Sequence, residues 1–342
     1  MNNKYYIYHH IDADGKGSAA VVILYLLSNH LVNSWNDDRL ELIPFNYEKS
    51  DTFVPIRDYK ENDEVFIVDL SVSDGTIGKF LDYLDLLHSV NVNLHWIDHH
   101  TSSNDCLYNV KNHLALKHNI KDGFNDIHSK FNIVINTEYC GMYNCWRTFF
   151  KDNPVPEIIR LIDDWDCWKH KLSSTKPFHY GFELSDRCEP VNKDWQNYLT
   201  DRGNCLKIIN DSVNSGKAIL DYLGSTDKNN YKYHFDCKFV GFNCCCLNIV
   251  RNSDIFLDNI NDYDIVLSFI YDGKGYKYSI YCKKGSVAKC NLIAEMFGGG
   301  GHTCAAGFYS KKLVVKNNNS VLYKIKEIYR KHKYKKCCKK EG

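Results

Sequence analysis

The stretch HHIDADGKGSAAVV, residues 9–22, decides the reading of the fold. It grows out of the apolar-aromatic run KYYIYHH (4–10), which reads as a buried strand, and passes into SAAVVILYLLSN (18–29), which has a helical pattern. Side chains alternate faces in an extended segment, so His10, Asp12 and Asp14 share one side and His9 takes the other. An imidazole and two carboxylates then meet where strand gives way to helix, with no local cation. A divalent metal is the usual counter-charge for such a set. An acidic turn accounts for the same residues, with Asp14 as helix N-cap and Gly15 and Gly17 turning the chain. This stretch alone leaves both readings open.

Outward from it, the same kind of ending recurs. EVFIVDL (64–70) is an apolar run that closes on Asp69, and VNLHWI (92–97) runs into Asp98, His99 and His100. LELIPFNYE (40–48) is a further strand candidate, and its Pro44 favours an edge or an end. With helical stretches such as DGTIGKFLDYLDLLHSV (74–90) between them, these runs imply βαβ units and a parallel sheet. Ligands in such sheets gather beyond the carboxyl ends of the strands. Three runs that end in metal-type residues at one edge favour the metal reading over the cap.

Farther along, residues 101–137 are polar and weakly periodic, and read as a surface insertion. TEYCGMYNCWRTFFK (137–151) and PEIIRLIDDWDCWKH (156–170) are helical, separated by Pro154 and Pro156. The second holds Asp163, Asp164 and Asp166 beside Trp165 and Trp168, either as an exposed turn or as another ligand source. Residues 172–203 are loop-rich and 204–223 read as a connecting helix. Composition then shifts to strands at 232–250, 264–271 and 276–284. The helical stretch SVAKCNLIAEMF (286–297) follows, then Gly298–Gly301, His302 and TCAAGF (303–308). The expected division is a catalytic domain over 1–195, a connecting helix over 196–227, a second domain over 228–334 and a basic tail over 335–342.

Composition bounds the partners. Lys plus Arg (43) nearly cancels Asp plus Glu (42), so no global field draws long nucleic acid to the chain. A small anionic ligand held by local groups fits better. The 15 cysteines are odd in number, contain no C-x-x-C, and come without a signal-peptide pattern, which places the chain in a reducing compartment, the cytoplasm. Cys244, Cys245 and Cys246 read as small buried hydrophobes in a strand. No apolar run reaches the roughly 18 residues of a membrane span. No stable protein partner is implied, and a homodimer stays open.

The candidate ligands are thus His10, Asp12, Asp14, Asp69, Asp98, His99, His100 and one acid of 163–166. Two hard divalent ions about 3.5–4 Å apart need roughly this many N/O donors with one bridging carboxylate. Asp69, alone at its strand end, suits the bridge. The lack of a cysteine among these positions argues against structural zinc. Carboxylates with imidazoles suit Mn²⁺.

At this point the sequence resembles the DHH family of phosphoesterases with a C-terminal DHHA1 domain. HIDADGKGSA (10–19), VDLS (68–71), IDHH (97–100), IDDWDCW (162–168) and FGGGGHTCAAGF (297–308) follow the family's motifs in order. The compact H-x-D-x-D-G form is most similar to nanoRNase-type members. The resemblance implies an α/β fold: an N-terminal parallel-sheet DHH domain, a smaller C-terminal α/β DHHA1 domain and an active-site cleft between them. It implies one metal on His10, Asp12 and Asp69, and a second on Asp14, Asp69, His99 and an acid of the fourth motif. By position that acid is Asp164, with Asp163 and Asp166 kept open. His100 would face the substrate phosphate and Asp98 would orient a neighbouring imidazole. Gly299, Gly300, Gly301 and His302 would hold the substrate, and Lys283 or Lys284 would stand in for an arginine that the family often carries there. The implied activity is hydrolysis of phosphodiester bonds in short single-stranded oligonucleotides or dinucleotides by a water activated between two divalent ions, Mn²⁺ foremost. The alternatives are a 3′-phosphoadenosine-type nucleotide phosphatase, a cyclic-dinucleotide phosphodiesterase, and a nucleotide-binding regulator without catalysis. Manganese pyrophosphatases share the first domain, but the GGGGH stretch points away from them.

Overall fold

A computed structural model of the chain describes residues 3–46, 53–122, 124–184 and 186–315. The expected basic tail lies outside the described residues. The chain divides into two compact units, Met1–Leu220 and Asp221–Gly342.

In the first unit the strands are β1 (Tyr5–His10), β2 (Leu40–Phe45), β3 (Glu64–Val68), β4 (Asn93–Asp98) and β5 (Phe131–Ile135). They form one sheet in the order β2-β1-β3-β4-β5, every pair parallel. The helices are α1 (Ala13–Ser28), α2 (Ile77–Val90), α3 (Thr101–His118), α4 (Gly141–Phe149), α5 (Glu157–Asp166), α6 (Thr175–Phe182) and α7 (Asp194–Thr200). The 29-residue α8 (Arg202–Asn230) runs from this unit into the next. The central strands are apolar at consecutive positions because both faces are covered. On one face Ile7, Phe66 and Ile97 pack with Val22 of α1, Met142 of α4 and Ile158 of α5. On the other Tyr8, Ile67 and Trp96 pack with Phe80 and Leu84 of α2 and Val110 and Leu114 of α3. Pro44 sits on β2, an edge strand, where its missing N–H breaks no inner ladder.

Two expectations need correcting here. The extended conformation does not continue to Asp14: the helix begins at Ala13, and Asp12 rather than Asp14 is its N-cap, accepting from the Gly15 amide at 2.9 Å. A Cβ at Gly15 would lie 2.4 Å from the His10 carbonyl oxygen, so only glycine lets the helix start this close beneath the strand. Nor is 101–137 a surface insertion. It supplies α3 and the edge strand β5, because Cys106, Val110 and Leu114 fall four apart on one helical stripe and are buried against the sheet.

In the second unit β6 (Phe235–Phe239), β7 (Phe242–Asn248), β8 (Ile265–Tyr271), β9 (Tyr276–Tyr281), β10 (Gly300–Gly301) and β11 (Ala305–Ser310) form a sheet in the order β10-β11-β9-β8-β7-β6. Among the described residues, only β7 and β8 pair parallel in this sheet. The short helix α9 (Cys290–Glu295) buries Ile293 with Tyr278, Ile280 and Phe308 of the sheet. The glycine run is a built turn rather than a linker. Gly298 takes φ +76° just beyond α9, Gly300 and Gly301 pair with Gly307 and Ala306, and His302 closes the hairpin through its amide to the Ala305 carbonyl at 2.7 Å. No helix among the described residues is long and apolar enough to cross a membrane.

Because α3 is core, Leu114→Ala should cost about 2–5 kcal/mol in a urea titration. A surface insertion would instead give a change within about 0.5 kcal/mol.

Candidate functional site

His9 pairs with Val68, and Val68 with Ile97, so the carboxyl ends of β1, β3 and β4 lie level. The next residues, His10, Asp69 and Asp98, therefore stand side by side on adjacent strands. Asp69 takes φ +55°, a left-handed conformation that aspartate tolerates better than most residues, and its amide donates to the Ile97 carbonyl at 3.0 Å. Two groups of N/O donors overlap at this acid: His10, Asp12 and Asp69, and Asp69, Asp98, His99 and His100.

Distances define the cluster. His10 Nδ1 lies 2.6 Å from Asp12 Oδ2 and 3.9 Å from Asp69 Oδ2. His99 Nε2 faces three carboxylates, Asp69 at 3.2 Å, Asp166 at 3.3 Å and Asp14 at 3.8 Å. His100 Nδ1 is 2.8 Å from Asp98 Oδ1, and Asp98 Oδ2 accepts from Ser103 at 2.5 Å, so this fully buried acid holds the ring from behind. Asp14 accepts from the Gly141 and Met142 amides, each at 2.7 Å, at the start of α4. A side chain at Gly141 would bring its Cβ to 2.8 Å from Asp69 Cβ and 3.0 Å from Asp14 Oδ2. This glycine is what lets α4 approach the cluster.

The fourth acid is not the one expected by position. Asp164 turns away from the cluster: its carboxylate accepts from the Lys171 and Leu172 amides and from the Thr175 hydroxyl, tying down the chain after α5. Asp163 accepts from the Cys140 amide and pairs with Lys169 at 2.6 Å. Asp166, at the last position of α5, is the acid that reaches His99. Cys167, half-buried, also stands within reach of His99 and Asp166, so a thiol adjoins the carboxylates and imidazoles.

Electrostatics show what the cluster lacks. Burial, and then the Asp166 charge, pushes the Asp14 carboxyl up to about 7. Burial, followed by Asp14 and Asp12, lifts Asp69 well above the carboxylate range. Burial alone would lower His99, but Cys167, Asp166 and Asp14 raise it. Against its own burial, Asp12 is drawn down to about 2 by His10. Asp69 Oδ1 is buried and accepts no hydrogen bond. Crowded carboxylates, imidazoles on the same point and a buried oxygen that has only an unaligned imidazole beside it are the environment a divalent cation satisfies. The residues present fit one.

One hollow opens on the cluster and a second lies along the edge strand β5. One, of about 80 Å³, is lined by Asp12, Asp14, Trp165, Asp166, His179 and Glu183. Burial and then Asp12 push the Glu183 carboxyl up to about 7. Nothing in the sequence marks this lone glutamate. The other, of about 680 Å³, is lined by Asn136, Tyr139, Tyr143, Arg147, Thr148 and Lys151 among others. Its Tyr139 and Tyr143 rings stack at 4.2 Å, Arg147 lies over Tyr143, and the Asn136 amide donates to the Asp98 carbonyl. Gly299, Gly300, Gly301 and His302 belong to the second unit's hairpin, where Gly300 has open space around it, and Lys283 and Lys284 are exposed just after β9.

No family model matches the chain. The uncharacterized protein R106 of Acanthamoeba polyphaga mimivirus is 24% identical over 330 residues, covering 88% of this chain and 66% of that protein. The chain thus spans just under two thirds of this relative's length. The solved DHH domain of a protein assigned to a family of ribosomal proteins aligns over 97% of this chain and 86% of its own, with a TM-score of 0.54 at 13% identity. The chain has the DHH fold. Two further alignments score lower. A pGpG-specific phosphodiesterase from Vibrio cholerae gives 0.43 at 13% identity, over 90% of this chain and 93% of its own. RecJ with Mn²⁺ from Thermus thermophilus gives 0.46 at 10% identity, over 98% of this chain and 52% of its own. On this sheet His10, Asp69 and Asp98, with His99 and His100 after it, stand at the ends of the three central strands.

A carboxyl whose pKa is raised by folding costs stability above its unfolded pKa, and at pH 7–8 Asp69 is in that window. Asparagine also tolerates the left-handed backbone. Asp69→Asn should therefore raise the melting temperature in EDTA, and added Mn²⁺ should reverse the order by stabilising the wild type more. A lower melting temperature in EDTA would contradict the missing-cation account. Asp164→Ala should lose about 1–3 kcal/mol of stability while keeping Mn²⁺ affinity. Asp166→Ala should do the opposite in isothermal titration.

Proposed function

We propose that the chain is a divalent-metal-dependent hydrolase that cleaves phosphoester bonds in short single-stranded oligonucleotides or dinucleotides. The observation that carries this reading is the shared position of Asp69 between the His10–Asp12 group and the His99–His100 group. Two ions, Mn²⁺ foremost, would be held by His10, Asp12 and Asp69 on one side and by Asp14, Asp69, His99 and Asp166 on the other. When bound, such ions polarise a phosphoryl oxygen and make a water acidic enough to attack at neutral pH.

The chain's own residues supply the rest. Asp69 turns one oxygen toward His10 and the other toward His99, which makes it the residue whose loss costs both groups. Asp98 accepts from His100 Nδ1 and fixes the tautomer, so the proton that His100 exchanges is on Nε2. From there the ring donates to a phosphoryl oxygen as charge builds on it. The helix start at Gly141 and Met142 favours the charged form of Asp14 and keeps it aimed. Gly300 and His302 of the glycine hairpin are proposed as substrate-binding residues.

Purified full-length protein should lose activity in excess EDTA and regain it better with Mn²⁺ than with Zn²⁺ or Ca²⁺. Across dinucleotides, 5-mers, long single strands, pAp, cyclic dinucleotides and pyrophosphate, the short linear substrates should turn over fastest. Full turnover in EDTA would sink the proposal, and a clear preference for pAp or a cyclic dinucleotide would replace its substrate. Asp98→Asn should lower kcat by roughly 10²–10⁴, the range of general acid–base contributions, with the fold retained. His302→Ala should cut kcat/KM on a dinucleotide by the equivalent of about 1–3 kcal/mol and spare bis-p-nitrophenyl phosphate. Equal losses on both substrates would remove His302 from the dinucleotide-binding role.

A further inference from the structure

The second unit gathers a separate set of donors. Cys237 on β6 is the cross-strand partner of Cys244 on β7, and Cys246 follows two residues later on the same face. Their sulfurs converge: Cys237 Sγ is 3.3 Å from Cys246 Sγ, and Cys244 Sγ is 3.4 Å from Cys246 Sγ. All three lie within 4.8 Å of one another. Cys245, between them, points to the opposite face, toward the Tyr231 hydroxyl. None of the three is in a disulfide. Packing alone asks only that small apolar groups fill the face, whereas here three side chains turn their sulfurs to one point.

We propose that Cys237, Cys244 and Cys246 form a three-thiolate site for a soft d¹⁰ metal ion, with Cu(I) as the type. Thiolate sulfur selects soft ions over the Mg²⁺ and Mn²⁺ class that suits the carboxylate cluster of the first unit. Among the described residues no fourth cysteine, histidine or carboxylate joins the group. Structural zinc is almost always four-coordinate, so a trigonal ligand set favours Cu(I). Cys244 and Cys246 are buried, while Cys237 is half-buried on the outermost strand of the sheet and gives the ion its way in. On binding, the thiol protons leave to solvent. The proposal stands apart from the hydrolase reading and uses none of its residues.

The test uses reduced, metal-free full-length protein kept anaerobic, with Cu(I) alone as the probe, competed against a colorimetric Cu(I) chelator. Wild type should hold one equivalent with a thiolate-to-copper charge-transfer band. Cys237→Ser, at an edge strand and half-exposed, should keep the fold by circular dichroism. It should weaken binding beyond the roughly 10–100-fold typical of losing a mere supporting partner. Cys246→Ala should do the same. Cys282→Ser is the control, because the Cys282 thiol is engaged with the Ala288 and Thr303 carbonyls, and it should retain the full equivalent. Wild-type binding in Cys237→Ser, or no retained copper in the wild type, would each overturn the three-thiolate site.

Discussion

Carboxylates that share a dry space repel one another, and the architecture of the first unit works against that repulsion throughout. Asp12, Asp14, Asp69 and Asp166 approach a common volume beyond three parallel strands, with His10, His99 and His100 among them. Strand register brings them together, and imidazoles, rather than aliphatic cations, are the partners seen beside Asp12, Asp14 and Asp69. The fold steadies each one from the outside. Backbone amides hold Asp14, a cap bond holds Asp12, and Asp98 stands behind His100. Asp69, at the centre, keeps a buried oxygen without a hydrogen bond.

The steadying groups show how few side chains a site of this type spends on position. Gly15 and Gly141 do as much as any charged residue, by having no Cβ where a strand end and a helix start must nearly touch. Asp164 is equally indirect. It organises the chain after α5 and thereby sets where Asp166, two residues on, ends the helix. Two acids two residues apart on a helix face different neighbours, so close positions in one motif divide structure and chemistry between them.

Strand ends and the parallel sheet were legible in the sequence because their signals are local. Apolar runs that stop on His or Asp report both burial and edge, as in VDLS and IDHH. Other parts were not legible. Asp166 could not be told from Asp164 without the helix phase and the chain that follows it. The α3 segment hid its core stripe in a polar composition, because only every fourth residue faces the sheet. Glu183 reaches the site from a segment with no local pattern, and Cys167, though inside IDDWDCW, is a residue type that the carboxylate reading of that stretch does not weigh. The GGGGH stretch was marked by composition, but its hairpin geometry depends on pairing with Gly307 and Ala306, which lies outside any local motif.

The amide pair that grips Asp14 makes the site sensitive to packing at a distance. Those two bonds come from the backbone at the start of α4, and α4 is held in place by the core it shares with α1 and α5. A substitution at Met142 or Trp146 that lets α4 shift would therefore loosen Asp14 without touching any acid or histidine of the cluster.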